Sequence, residues 1–505
     1  MIVLWFKKDL RLHDHPALCA AVDAAHANQC PLLCLYIYED QVIHAEDFSR
    51  RHLVFINDCL AELQASLREI GQELWTARGE VVEIMHRLHQ NYPILHIFSH
   101  QETGNAITYR RDIQVKEWGQ KQKIAWQELP QNGVVRCLRT RDGWARQWAS
   151  RMRQELLDVP EKFPQVPQGL DQLLDRSLRS PVSFDLSSDG ERQLQRGGSR
   201  PAFELLDSFL QRRGKHFTRD MSSPVTAYDA CSRLSPYFTY GAISVREAYQ
   251  LGCDRKLDLK VMKAEKSMPA ADLKLWNSAL RSFLGRLRWH CHFIQKLEDE
   301  PELENRNLFR ACDGIRENEW NDKYYQAWCE GKTGYPIVDA CMRALRATGW
   351  INFRMRAMLM SFSSYHLWLH WRKTGLHLAR LFTDYEPGIH WPQVQMQSGT
   401  TGINSIRIYS PAKQAIDQDP QGIFIRQWVP ELQEMPDCYL AEPWNAPAME
   451  QKMNHCLIGI HYSQPVVDHA TAYAAAQRRI RASRSPQKAR QERQRIYQKH
   501  GSRKR

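Results

Sequence analysis

The chain has 505 residues, 43% of them hydrophobic, which is ample for two or three domains with buried cores. Its formal net charge is +12, but twelve Lys or Arg against one acid, Glu492, fall between Gln477 and Arg505, so the basic character sits in a tail. No apolar run is long enough to cross a bilayer, and the opening IVLWF meets Lys7 and Lys8 too soon for a secretion signal.

The first 135 residues alternate strand and helix. IVLWF (2–6) is a short β-rich run and CPLLCLYIYE (30–39) a second, with the helix-like HPALCAAVDAAHA between them. HLVFINDCLAELQASLREIG has apolar residues at three- and four-residue spacing and ends at Gly71. A strand near 73–77 (QELWTA), a helix (VVEIMHRLHQ), the strand ILHIFSH (94–100), a helix through Lys123 and the strand IAWQELP follow. Such alternation predicts a parallel, Rossmann-like sheet covered on both faces over 1–135. No GxGxxG follows the first strand, so the dinucleotide fingerprint is absent.

Residues 136–200 are rich in Pro, Gly, Ser and charge, and read as a long surface connection. From 201 to 470 the pattern is helical, as in AFELLDSFLQRR, ISVREAYQLG, ADLKLWNSALRSFLGRLRWHCHFIQKLE, PIVDACMRALRATG and MRAMLMSFSSYHLWLHWR, which predicts an all-α domain. Residues 471–505 are expected to form a solvated, disordered basic arm able to touch phosphates. The thirteen Cys include no CxxC pair, and Cys341, Cys438 and Cys456 are too dispersed for an iron–sulfur cluster. No metal site is expected, and a reducing cytoplasm is the simplest setting.

The chemistry concentrates between Lys332 and Gly402. Arg354 and Arg356 share a helix, Asp384 and Glu386 follow one helix and loop later, and Trp350, Trp371 and Trp391 lie among them. Together they suit an aromatic-lined, anion-holding pocket for a large planar cofactor with a pyrophosphate. A lone buried Arg or Asp is costly, so Arg356 and Asp384 need partners; on sequence alone a structural ion pair is the simpler reading. Ser232, Arg233, Leu234 and Ser235 precede a helix and can hold phosphate, although such residues are mostly caps.

These segments closely resemble the photolyase/cryptochrome family, over residues 2 to about 470. The carriers are WFKKDLRLHDHPAL (5–18), HQETGNAITYRRD (100–112), CSRLSPYFTYGAISVRE (231–247), GKTGYPIVDACMRAL (331–345), DYEPGIHWPQ and IRQWVPEL (425–432). The flavin loop is similar to that of cryptochrome-DASH. The resemblance implies an α/β antenna domain and a helical FAD-binding domain. It implies FAD near Ser232, Arg233, Leu234, Ser235, His290, Arg356, Asp384, Glu386 and His390. A second antenna chromophore, of folate or deazaflavin type, also belongs to this pattern. His390 stands where photolyases usually place Asn facing the flavin N5, and could donate or accept a proton near neutral pH. Trp371 and Trp320 match the middle and outer rings of an electron relay, while the inner position falls on Val394, leaving either Trp391 as substitute or a broken route. For any one Trp, core packing is the default.

Trp289 matches an aromatic wall that stacks on a flipped pyrimidine dimer. Around it the pattern departs: Arg286 replaces an acid, His290 an Arg, Asn352 and Phe353 a His-Asn pair, and Met396 a second aromatic wall. Arg407 and Lys413, with the tail, could meet DNA, though their plain reading is solubility. The resemblance implies a monomeric, light-driven DNA photolyase acting on pyrimidine photoproducts. Its rivals are a cryptochrome-type blue-light photoreceptor and a DNA-binding module that merely retains FAD.

Overall fold

Ile2–Phe6 (β1) is apolar at every position and completely buried, as expected of a strand with helices on both faces. In the computed structural model, which describes residues 1–188, 190–485 and 487–500, it is the centre of a five-stranded parallel sheet. The other strands are Leu32–Tyr38 (β2), Leu74–Arg78 (β3), His96–His100 (β4) and Ala125–Leu129 (β5), in the order β3-β2-β1-β4-β5. Ile2 pairs with Leu32 on one side and His96 on the other. The chain therefore reverses direction of travel between β1 and β4, where open α/β sheets form a crevice at their strand ends. Helices Pro16–Ala27 (α1), Arg50–Glu69 (α2), Val81–Asn91 (α3) and Ala106–Gln122 (α4) cover the faces.

At that reversal Asp9 joins the sheet to α1. His100 Nδ1 lies 2.8 Å and His15 Nε2 3.2 Å from Asp9 Oδ2, and the Lys7 amide donates to Asp9 Oδ1 at 2.6 Å. Burial pushes the Asp9 carboxyl up, but the bonds from His100 and His15 outweigh it and hold it well below the usual range. These three side chains could converge on a metal ion. The Leu18 amide, however, donates to His15 Nδ1 at 2.9 Å, which fixes the imidazole proton on Nε2, the atom facing Asp9. The cluster is a hydrogen-bonded staple, and it explains a His at position 15.

Residues 136–200 do more than cross the surface. Trp144–Met152 (α5) buries Trp144 and Trp148, and Asp175 bridges to Thr76 beside β3. The rest is helical, with no strand beyond β5 among the described residues. The helices that matter below are Ser199–Gln211 (α6), Val245–Ala264 (α7), Ala270–Asp299 (α8), Pro336–Thr348 (α9), Phe353–Ser361 (α10), Trp371–Leu381 (α11) and Pro387–Ser398 (α12). No helix among the described residues is long and apolar enough to cross a membrane.

Two expectations fail. The run 355–372 is not one helix: α10 passes into a π-turn at Phe362–His366, Trp368 turns left-handed (φ 52°), and His370 Nδ1 caps α11 by accepting from the Arg372 amide. The basic tail is not disordered over its described part but forms His469–Arg484 (α13) and Gln487–His500 (α14). Ala476 and Ile480 pack with Tyr365 and Trp368, and Ala489 and Ile496 with Phe309 and Cys312. Glu492 accepts from the amides of Arg310 and Ala311. Four small or branched apolar residues at helical spacing, diluted among the arginines, anchor what charge counting reads as an arm.

Several histidines are buried and neutral. Burial pushes His52 down to about 4, and His100 and His377 down to about 3, against 6.5 when unfolded. Each folded value is depressed, so the unfolded chain binds more protons below 6.5 and stability is lost as pH falls from there. At pH 5 the loss is about 2 kcal/mol per such histidine. Thermal melts should show the midpoint falling between pH 7 and pH 5; a flat profile across that window contradicts the assignment.

Candidate functional site

A cavity of about 910 Å³ opens between α8, α10, α11 and α12, at the upper end of the range for small-molecule and cofactor sites. Its depth is polar. Arg356 and Asp384 meet in a two-pronged bond, Nη1 to Oδ1 at 2.9 Å and Nη2 to Oδ2 at 2.8 Å. The guanidinium lies 4.1 Å over the Phe382 ring, and its Nε donates to the Ile351 carbonyl at 2.8 Å. The Asp384 side chain is almost fully enclosed, while the Arg356 side chain keeps 23% of its surface and lines the cavity. The pair is thus anchored on one side and open on the other, so it can act on a bound group.

His390 lines the cavity beside it. Its Nε2 donates to the Gly375 carbonyl at 2.9 Å, and burial pushes the ring down to about 4. In this setting His390 is held neutral, with Nε2 carrying the proton and Nδ1 left as an acceptor. Gly375 is required here, because a Cβ on it would lie 2.7 Å from the Trp391 ring. Gly388 likewise lets α12 approach α8, where a Cβ would meet the Ile294 backbone at 2.7 Å.

Glu386 reaches the same wall, caps α12 by accepting from the Gly388 amide at 3.3 Å, and meets Lys8 of the sheet domain at 3.8 Å. Gln393 Oε1, another lining residue, is buried without a hydrogen-bond partner among the described residues. A buried acceptor without a donor is costly unless a ligand supplies one.

At the mouth, Trp289 and Phe353 are 44% and 48% exposed, large apolar surfaces left uncovered. Trp289 packs edge-on to His292 (4.9 Å) and tilted to Phe293 (5.7 Å). Met396 and the exposed Arg407 complete this rim, and His290, neutral because burial pushes it down to about 4, lies behind it. His500 of α14 also lines the cavity.

The phosphate-holding segment is placed differently from its simple reading. Leu234 is buried, Ser232 and Ser235 are half-buried, and the helix they precede has five residues, Ser235–Thr239. Arg233 turns left-handed (φ 62°), and its guanidinium sits between Tyr228 (3.9 Å) and Trp350 (4.2 Å). What surrounds Cys231 is a set of cations: Arg286, Arg233, Arg213 and Arg356 all act on it, and burial still pushes its thiol up to about 11. Arg286 thereby belongs beside this segment as well as to the mouth. The volume, the ion pair with its arginine partly open, the unmatched Gln393, and Arg286 reaching from the cavity toward the cationic segment at Cys231 fit a large planar ligand with an anionic arm.

Of the relay rings, Trp391 and Trp371 are buried and stand 6.0 Å apart, edge to face. Trp320 lies farther out against Tyr325 (5.0 Å), under Lys373. Val394 is buried in the cavity wall. Residues that sequence reasoning missed are Phe382, Phe293, Lys296, Gln393 and Tyr385. Tyr385 sat in the quoted loop, but its partner Asp47 is 338 positions away, and no local pattern links them.

Residues 2–162 match the family model described as DNA photolyase, and residues 283–482 the one described as the FAD binding domain of DNA photolyase. A deoxyribodipyrimidine photo-lyase of Alkalihalophilus pseudofirmus is 26% identical, over 92% of this chain and 95% of its own. A cryptochrome DASH of Gloeobacter violaceus is also 26% identical, over 94% of each. A solved class III photolyase of Agrobacterium tumefaciens superposes with a TM-score of 0.79 at 24% identity, covering 96% of this chain and 98% of its own. An archaeal photolyase of Sulfolobus tokodaii, solved with two FAD molecules, gives 0.74 at 24% identity, covering 95% and 99%.

The ion pair generates a double-mutant prediction. Asp384→Ala leaves the Arg356 cation without its carboxylate and should cost about 3 kcal/mol in urea unfolding. Removing both, as Asp384→Ala with Arg356→Ala, should cost less than the two single changes summed, because no unpaired charge remains. Strict additivity would show that the two groups do not depend on each other.

Proposed function

The chain belongs to the photolyase/cryptochrome family and carries its FAD-binding domain, and from this we propose that it is a light-driven DNA photolyase acting on pyrimidine photoproducts. The observation that carries the proposal is a single cavity with the Arg356–Asp384 pair at its depth and the bare Trp289 face at its mouth. Bound FAD, when reduced and excited by blue or near-UV light, supplies an electron to the photoproduct and receives it back after the bond splits. Arg356 and Asp384 would hold the ring, and a guanidinium beside it would favour the electron-rich form. With FAD bound, His390 would offer Nδ1 as a hydrogen-bond acceptor toward the ring. Arg213 and Arg286 would balance the pyrophosphate near Ser232 and Ser235.

Trp289 and Phe353 offer stacking surfaces to flipped bases, and Arg281 and Arg407 meet the strand that carries them. DNA is the macromolecular partner on this reading. A second chromophore would sit at the strand ends, where a cavity of about 100 Å³ is lined by Phe6, Lys8, Glu39 and Tyr240 and must widen to admit one.

The second reading, a blue-light photoreceptor without repair, draws on the altered mouth: Arg286, Phe353 and Met396 replace the usual partners of a dimer, and His500 of the tail reaches the cavity. Illuminating the reduced protein with oligonucleotides carrying one cyclobutane dimer or one (6-4) product separates the two. Restored bases in light and none in darkness are expected; no restoration of either lesion moves the function to photoreception. A separate test concerns His390. Because it is neutral, the absorbance of the reduced flavin should show no step centred near pH 6.5. Such a step, lost in His390→Asn, would contradict the assignment.

A further inference from the structure

Tyr385 forms the wall between the two cavities, lining the large one and the smaller one at the strand ends. It is 9% exposed, and its hydroxyl donates to Asp47 Oδ2 at 2.6 Å. The same oxygen accepts from Trp391 Nε1 at 3.1 Å, and Trp391 is 1% exposed. The indole N–H, phenol and carboxylate therefore form one line, running from beside His390 (ring centroids 4.9 Å from Trp391) to the sheet domain.

We propose that Tyr385, with Asp47 as proton acceptor, is the electron donor that restores Trp391 after a photoexcited, oxidised flavin has taken an electron from it. The proposal rests on the flavin reading of the cavity. Trp391 loses one electron; Tyr385 then gives one electron to Trp391 and its phenolic proton to Asp47. Trp391 is restored, Tyr385 is left as a neutral oxygen radical, and Asp47 becomes a carboxylic acid. One electron and one proton are accounted for.

Three observations favour this route over outward transfer. The inner relay position is Val394, an aliphatic side chain that cannot hold the missing electron's vacancy. The Arg372 guanidinium lies 4.7 Å over the Trp391 ring, so positive charge on that ring is disfavoured and moves away from it. Trp371, the alternative donor at 6.0 Å, gives its own Nε1 proton to the Asn307 amide oxygen at 2.7 Å, a group that cannot accept a proton outright. A buried cation is costly, whereas the Tyr385 step ends with neutral groups. Burial, with Asp47 next to it, pushes the phenol well above its ordinary value, so the proton leaves only together with an electron.

The test uses the FAD-loaded protein with oxidised flavin, blue light and electron paramagnetic resonance. In the wild type a tyrosyl spectrum should form, and should narrow when ring-deuterated tyrosine is incorporated. Tyr385→Phe should abolish it and leave a tryptophan radical. Asp47→Asn keeps a hydrogen-bond acceptor but loses the base, and should slow tyrosyl formation by about a hundredfold, the scale of a positioned base. A tyrosyl spectrum that survives in Tyr385→Phe, or a wild type showing only tryptophan radical, overturns the proposal while leaving the flavin site intact. If Tyr385→Phe does not retain flavin, Asp47→Asn decides: an unchanged rate there and in heavy water overturns it. A purified chain that takes up no flavin sinks this proposal and the flavin reading together.

Discussion

A guanidinium and a carboxylate joined by two short bonds at the bottom of an apolar cavity set the terms for the rest of the molecule. Neither Arg356 nor Asp384 is tolerable alone there, because burying an isolated charge costs far more than the pair returns. Pairing solves the folding problem but leaves the guanidinium edge open to the cavity, backed by the Phe382 ring. An environment held electropositive before any ligand arrives needs no rearrangement when charge develops. The pair is a structural joint and, on the proposed reading, the polar end of a cofactor site.

The loop that carries Asp384 is held from outside its own domain. Arg51 of α2 donates to the carbonyls of Leu345, Leu381 and Arg346 at 3.1, 2.9 and 3.1 Å. His52 Nε2 reaches the Phe382 carbonyl at 2.9 Å, Ser49 Oγ that of Arg380 at 2.6 Å, and Asp47 the Tyr385 hydroxyl. One turn and one helix start of the sheet domain thus bind carbonyls at the C-terminal ends of α9 and α11 and two residues, Phe382 and Tyr385, of the loop that follows α11. The sheet domain therefore helps to set where Asp384, Glu386 and His390 stand.

Much of this was legible in the amino-acid order. The inner strands read from their apolar runs because a doubly covered sheet demands them, and IVLWF is β1 residue for residue, whereas the edge strand AWQEL has no buried position. That Arg356 and Asp384 each need a partner followed from the cost of burying either alone, and the family resemblance pointed to each as the other's partner. What the sequence hid were interactions with no local signature. Arg233 had the right type and spacing for a phosphate, but its guanidinium lies between Tyr228 and Trp350. The break at 367–370 is decided by the His370 cap on Arg372 rather than by helix propensity. In the tail, Ile480 and Ile496 find partners in Trp368 and Phe309, more than a hundred positions away, so charge density was a poor guide to order.

The most direct measurement is a crystal structure of the protein loaded with FAD. The account predicts the flavin ring edge against the Arg356–Asp384 pair, N5 within hydrogen-bond distance of His390 Nδ1, and the pyrophosphate among Arg213, Arg286 and the 232–235 segment. A flavin bound elsewhere, or a cavity that stays closed to it while Arg356 and Asp384 face only protein, would contradict it.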